Sequence, residues 1–289
     1  MAEASLAGSK NDTSNATRKN QVSDRASGAG GAVWQRLAPW ALPIAILILW
    51  EIASRSGLVT ARLIPAPTSV AAAFWRLLLD GSLLYHTLAS TQRAVIGLLI
   101  GGGIGFVLGV INGLWRPAET FLDSTIQMVR NVPHLALIPL VILWFGIGET
   151  AKIFLVSVGV FFPIYMNTFY GVRTIDPQVV EMAEVYGLNR RAMILRIILP
   201  GALPSILVGL RYALGFMWLT LIVAETISAT NGIGYMTMNA REFLQTDVVL
   251  LGIIVYALLG KVADLATRAI ERRVLSWHPA YQGQEKGTP

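Results

Sequence analysis

The sequence predicts an all-α membrane protein, a polytopic helix bundle of about six transmembrane helices. Three observations carry this. Hydrophobic residues make up 54% of the 289-residue chain and charged residues only 14%, against about 25% charged in an ordinary soluble domain. Mean hydropathy is +0.57. The apolar residues gather in six runs, most of them near the ~20 helical residues that a ~30 Å hydrocarbon core requires. With no cysteine, a disulfide framework and a thiolate metal site are excluded. The three histidines are scattered, without metal-ligand spacing. A net charge of +6 fits basic loops on one side of a membrane. The expected environment is therefore a lipid bilayer, and no nucleic-acid partner is expected.

Residues 1–33 are rich in Ser, Ala, Gly, Asn, Lys and Arg without apolar periodicity and read as a disordered cytoplasmic tail. Residues 34–275 form the membrane domain and residues 276–289 a second cytoplasmic tail. The first span, Leu37–Ala53, is short, with Pro39 and Pro43 near its start, and reads as an uncleaved anchor. Leu63-Ile64-Pro65-Ala66-Pro67 is stiffened by proline. Ser69–Leu79 then reads as an amphipathic helix at the outer interface.

The second span, Ala94–Leu114, is the cleanest. It holds Gly97, Gly101, Gly105, Gly109 and Gly113, each four residues from the last. Glycines at that spacing share one helix face and admit another backbone closely. The partner is a helix of the same chain or of a second copy. The third span, Phe121–Ile147, is interrupted by Arg130, Pro133, His134 and Pro139. The fourth is Ile153–Tyr170, the fifth Ile206–Ile227 and the sixth Val248–Ala266. With the N-terminus inside, basic residues accumulate on the side that carries both termini and the segment between spans four and five.

That segment, Asp176–Pro204, has dense charge and clear helix punctuation. Asp176 before Pro177 reads as an N-cap with proline at the first helical position. The helix stops at Gly187. Asn189 caps a second helix, Arg190–Leu199, which Pro200 stops. Within it, Glu181-Met182-Ala183 is followed by three residues, Gly187, nine residues and Ile197-Ile198-Leu199-Pro200. This resembles the E-A-A, G, I-x-L-P loop of ATP-binding-cassette (ABC) importer permeases, with Met182 in place of alanine. Further runs resemble the aliphatic sulfonate branch of that family. These are Arg130–Leu140, Trp144–Glu149, Ala224–Ala229 and Met238–Asp247. The similarity covers about Leu37 to Tyr281. Relatives for nitrate, bicarbonate, taurine and pyrimidine precursors share the loop.

The resemblance implies a type I ABC importer permease fold in a bacterial inner membrane, crossed several times, with both termini cytoplasmic. It implies a homodimer of this chain, two cytosolic ABC ATPase subunits and a periplasmic substrate-binding protein. Residues 171–204 would be the coupling loop, with Glu181, Met182, Ala183, Gly187, Ile197, Leu199 and Pro200 facing the ATPase. It also places the Asn231-Gly232-Ile233-Gly234-Tyr235 turn and Glu225 near an outer gate. No G-x-x-x-x-G-K-[ST] loop occurs in the chain. In such an importer ATP would therefore be bound and hydrolysed by the partner, and this chain would need no cofactor and would not be the catalytic subunit.

Arg130, His134, Arg211 and Glu225 are ionisable groups in or beside apolar spans, where charge is costly. They attract an anion in the translocation pathway, or they pair with other groups and hold the bundle. Arg211 and Glu225 lie about 21 Å apart along one helix, so each needs a partner elsewhere. The rival class is a carrier driven by an ion gradient, for which Glu225 is the one candidate acid and no internal repeat is evident.

Overall fold

The computed structural model describes residues 40–60 and 62–277. The tail at 1–33, the start of the first span and the chain from 278 onward lie outside the described residues. The described chain divides into two units at Thr68. The first holds helix α1 (residues 40–55). Its C-terminal turn is closed by Glu51, which accepts hydrogen bonds from the Thr68 N–H at 3.2 Å and hydroxyl at 2.9 Å and pairs with Arg55.

The second unit begins in α2 (Pro67–Leu79) and continues through α3 (Ser82–Leu114), α4 (Arg116–Arg130), α5 (His134–Phe145), α6 (Glu149–Arg173), α7 (Pro177–Val185), α8 (Arg190–Ile227), α9 (Ile233–Glu242) and α10 (Thr246–Val274). Four of the described helices, α3, α6, α8 and α10, are long and apolar enough to cross a membrane. The third predicted span is a pair, α4 and α5, bent by 82°. The break falls at Asn131-Val132-Pro133, where proline disfavours helix for the residue before it. The six expected spans thus appear as four helices, one broken pair and the short α1.

The glycine face of α3 lies directly on α6. A Cβ on Gly101 would stand 2.0 Å from the Ser157 carbonyl oxygen, and one on Gly105 2.7 Å from that of Phe161. Gly97 and Gly113 meet Val156 and Val172 in the same register, and Gly109 meets Thr168. The partner is therefore a helix of the same chain, the alternative the spacing alone left open. Because the contacts advance together, α3 and α6 run parallel, so the α4–α5 pair must carry the chain back between the two ends. Without a hydrophobic drive between helices in lipid, this close packing is a principal adhesive. A π-turn at Leu98–Gly102 widens α3 at the point of closest approach.

Helix α8 runs antiparallel to α6, with Gly159 against Thr220 at one end and Gly171 against Ala202 and Ser205 at the other. Helix α10 runs antiparallel to α8, since Tyr256 reaches Glu225 while Glu271 reaches Arg211. The Asp176–Pro204 segment and the C-terminal end of α10 therefore share one end of the bundle. Arg93, Glu149 and Glu225 mark the other.

Two expectations need correction. The second span starts at Ser82, not Ala94, because Ser90 and Arg93 turn inward to partners instead of meeting lipid. Pro200 does not stop the helix begun at Arg190, which runs on through Pro204 to Ile227. The lost proline N–H is absorbed by a π-turn at Ile194–Ile198 immediately before it, where the wider turn takes up the break in the ladder.

Candidate functional site

At the end of the bundle away from the Asp176–Pro204 segment, five helices and the α8–α9 turn meet around one carboxylate. Glu225 is 1% exposed. It accepts hydrogen bonds from Arg93 Nη1 at 2.6 Å, Tyr256 at 2.9 Å and the Gly234 N–H at 3.0 Å. The Ser90 hydroxyl lies 2.8 Å from both of its oxygens and accepts the Ile233 N–H. Arg93 turns its remaining donors to Glu149, at 2.5 and 2.8 Å, and to the backbone and side chain of Asn231. Lys152 completes the set, 2.7 Å from Glu149. Two cations thus meet two carboxylates, and each buried charge is both paired and hydrogen-bonded, which makes burial tolerable. Gly232 has φ +108°, and a Cβ there would fall 2.5 Å from the Glu225 carboxylate. The turn passes against the ion pair only because it has no side chain.

Of the four ionisable residues singled out in the sequence, the structure brings two together. Arg130, at the end of α4, and His134, at the start of α5, line a cavity of about 320 Å³ against α6 and α8. Its other walls are Gly159, Phe162, Pro163, Met166, Asn167, Tyr212 and Phe216. His134 shares a 3.0 Å hydrogen bond with Thr220, which fixes the ring. Arg130 has no carboxylate within ion-pair distance among the described residues, whereas Arg173 and Arg268 have one each and Arg93 and Arg211 two. Glu225 and Arg211 do not line this cavity. Arg211 pairs with Glu271 and, at 3.9 Å, with Asp264.

The Asp176–Pro204 segment is built as its punctuation indicates. The Asp176 side chain accepts the Gln178 N–H at 2.9 Å, and that of Asn189 accepts the Ala192 N–H at 2.8 Å. Gly187 has φ +79°, and the Leu188 N–H returns to the Ala183 carbonyl at 3.1 Å, closing α7 with a left-handed C-terminal turn. Ala183 is 3% exposed and packs on Val172, Met193, Ile198 and Ala202. Ile197, Leu199 and Pro200 are half-buried behind it, while Glu181 and Gly187 are exposed. Met182, Val185 and Tyr186 are 53%, 88% and 78% exposed. One face of α7 is fastened to the bundle, and the other presents uncovered apolar side chains.

Residues 97–276 match the family described as the binding-protein-dependent transport system inner membrane component. The chain belongs to this family. The permease is 59% identical over 250 residues to the aliphatic sulfonates transport permease protein SsuC of Escherichia coli (strain K12), covering 86% of this chain and 95% of that one. The like-named protein of Bacillus subtilis (strain 168) is 43% identical over 242 residues, 84% of this chain and 88% of that one. The taurine transport system permease protein TauC of E. coli is 37% identical over 246 residues, 83% and 89% of the two chains. The relatives are membrane components of transport systems, and the permease is such a component.

Arg93, Ser90, Glu149 and Tyr256 escaped the sequence reading. One signal was present: a carboxylate within a span demands a cation, and Arg93 stands immediately before the most apolar run. Nothing local says which arginine reaches Glu225 across 132 residues.

Proposed function

We propose that the permease is the membrane-spanning subunit of an ATP-driven importer for aliphatic sulfonates, working as a homodimer with two ATPase subunits and a periplasmic binding protein. The observation that carries the substrate assignment is the 59% identity over 95% of the E. coli sulfonates permease, against 37% for its taurine counterpart. The Arg130 cavity supports it chemically. The Arg130 guanidinium, without an ion-pair partner among the described residues, and the His134 ring supply hydrogen-bond donors for an anionic sulfonate. Phe162, Met166 and Phe216 offer apolar wall beside them.

The bundle end that holds α7 carries Arg116, Arg173, Arg190, Arg191, Arg196, Arg268, Arg272 and Arg273. This basic excess favours a cytoplasmic placement of that end and of the C-terminus. There the exposed face of α7, with Glu181, Met182 and Gly187, meets the ATPase, while Ala183, Ile197, Leu199 and Pro200 join it to α8 and the bundle. ATP binding and hydrolysis by the partner bias the bundle between outward- and inward-open states.

The test is uptake of labelled pentanesulfonate by cells lacking their own sulfonate permease, supplied with this chain and its cognate ATPase and binding protein. Uptake that excess alkanesulfonate abolishes, and that taurine, nitrate and bicarbonate leave intact, is expected. Uptake of taurine or bicarbonate in place of pentanesulfonate would reassign the substrate.

A further inference from the structure

A second cavity, of about 500 Å³, lies on the other flank of the α4–α5 break. Its walls are Ile104 from α3, Val129 from α4, Leu137 from α5, and Val158, Phe161 and Phe162 from α6. Thr150 and Ser157 also touch it, but the Ser157 hydroxyl already donates to the Ile153 carbonyl at 2.8 Å. Among the described residues, no ionisable group lines it.

This cavity adjoins the Arg130 cavity at three places. Phe162 lines both. Val129 and Arg130, neighbours on α4, line one each. His134 and Leu137, about one turn apart where α5 begins, also line one each. The Phe162 side chain thus stands between a cationic pocket and an apolar one. That is the complement of an anion with an aliphatic tail. A wholly polar anion would leave the larger space unused.

We propose that the apolar cavity takes the alkyl chain of the sulfonate whose head meets Arg130 and His134, with Phe162 at the boundary between them. The permease itself then discriminates chain length, in addition to whatever its binding protein selects. The proposal rests on the sulfonate reading above and specifies the substrate as one with a chain long enough to pass Phe162. Ethanesulfonate is held by its head alone. Octanesulfonate gains from each further methylene it buries, a factor of about four apiece at full burial.

The test uses the whole complex, with ATPase and binding protein, in proteoliposomes. Uptake of ethanesulfonate and octanesulfonate is measured for the unmutated permease, for Val158→Phe and Ile104→Phe, which fill the cavity from two walls, and for Val107→Phe, which is exposed on α3 outside both cavities. The expected result is a fall of tenfold or more in the octanesulfonate-to-ethanesulfonate ratio for both cavity variants. Ethanesulfonate uptake stays within twofold, and Val107→Phe leaves the ratio unchanged. The binding protein is common to all samples, so its preference cancels in the comparison. An unchanged ratio in the two filled variants overturns the proposal and leaves the cavity to lipid or a neighbouring helix. Equal loss of both substrates overturns it as well, showing a structural need for the space. If the unmutated complex takes up neither sulfonate on ATP, the function reading falls first and this proposal with it.

Discussion

Replacing Arg93 by methionine puts the buried ion cluster to a quantitative test. The change keeps much of the side-chain bulk but leaves Glu225, 1% exposed, with only Tyr256, Ser90 and the Gly234 N–H. Breaking a buried pair from one side costs about 3–5 kcal/mol, because the stranded charge stays desolvated. At about 2.1 cal/mol/K of unfolding entropy per residue, a 289-residue chain loses about 7 °C of melting temperature for 4 kcal/mol. Adding Glu225→Gln removes the stranded charge and keeps an amide that can still accept from Tyr256 and Gly234. The double variant should therefore recover about 2 kcal/mol, or 3 °C. Arg268→Met is the comparison. That side chain is 54% exposed and its partner Asp264 27%, and a solvent-facing pair contributes about 1 kcal/mol or less, so its shift should stay near 2 °C. The assay is thermal unfolding of the purified complex in detergent, followed by loss of the monodisperse peak. An Arg93→Met protein melting within 2 °C of the parent, or a double variant no better than the single, would show that Arg93 is not what makes the burial of Glu225 tolerable.

Four further outcomes are expected. Gly101→Ala should lower stability by several kcal/mol, since its Cβ would meet the Ser157 backbone at 2.0 Å, whereas Gly103→Ala, with nothing within 4 Å, should gain about 0.5–1 kcal/mol; the same melting assay separates them. Gly187→Pro locks φ near −65° where the chain needs +79°. It should abolish ATP-driven uptake while membrane insertion, read by fractionation, persists, and normal uptake would rule out the coupling role. Arg130→Ala should cut sulfonate uptake at least tenfold with the complex still assembled on size exclusion, and failure to assemble would point to a structural role. Asn189→Ala removes the cap on the Ala192 N–H and should cost about 1 kcal/mol, seen as faster protease cleavage between α7 and α8.

What was legible in the sequence was what is written locally. Asp176, Gly187 and Asn189 announce their turns because capping and a left-handed glycine are decided within four residues. The glycine face of α3 was legible by its spacing, though not its partner, because spacing fixes a face and says nothing of what lies against it. The continuation of α8 through Pro200 was not legible. The proline rule presumes an α-helical ladder, and the π-turn at Ile194–Ile198 had already replaced it. The Arg93–Glu225 pair was hidden for a different reason. Its members sit on separate helices, and their meeting depends on the parallel register of α3 on α6 and the antiparallel course of α8. Arg130 and His134 stood out as charges in an interrupted span, but their common cavity exists only because α4 and α5 bend by 82°.

The continuity of α8 has a mechanical consequence. One rod joins Arg190, beside α7, to Glu225 at the opposite end. It is pinned to α6 near its middle, where a Gly209 Cβ would stand 2.6 Å from Asn167. From Gly209 to Glu225 is about 24 Å at 1.5 Å per residue. Tilting the rod by 5° about that fulcrum sweeps the Glu225 backbone through about 2 Å, a displacement hydrogen bonds of 2.6–3.0 Å cannot absorb. Either the clasp opens, or the far ends of α3, α6, α9 and α10 travel with the lever as one body. The stretch from Gly209 to Glu225 contains no proline and no π-turn, so a tilt about Gly209 moves Glu225 as a unit, and the load at its tip either gives way or is shared among five helices.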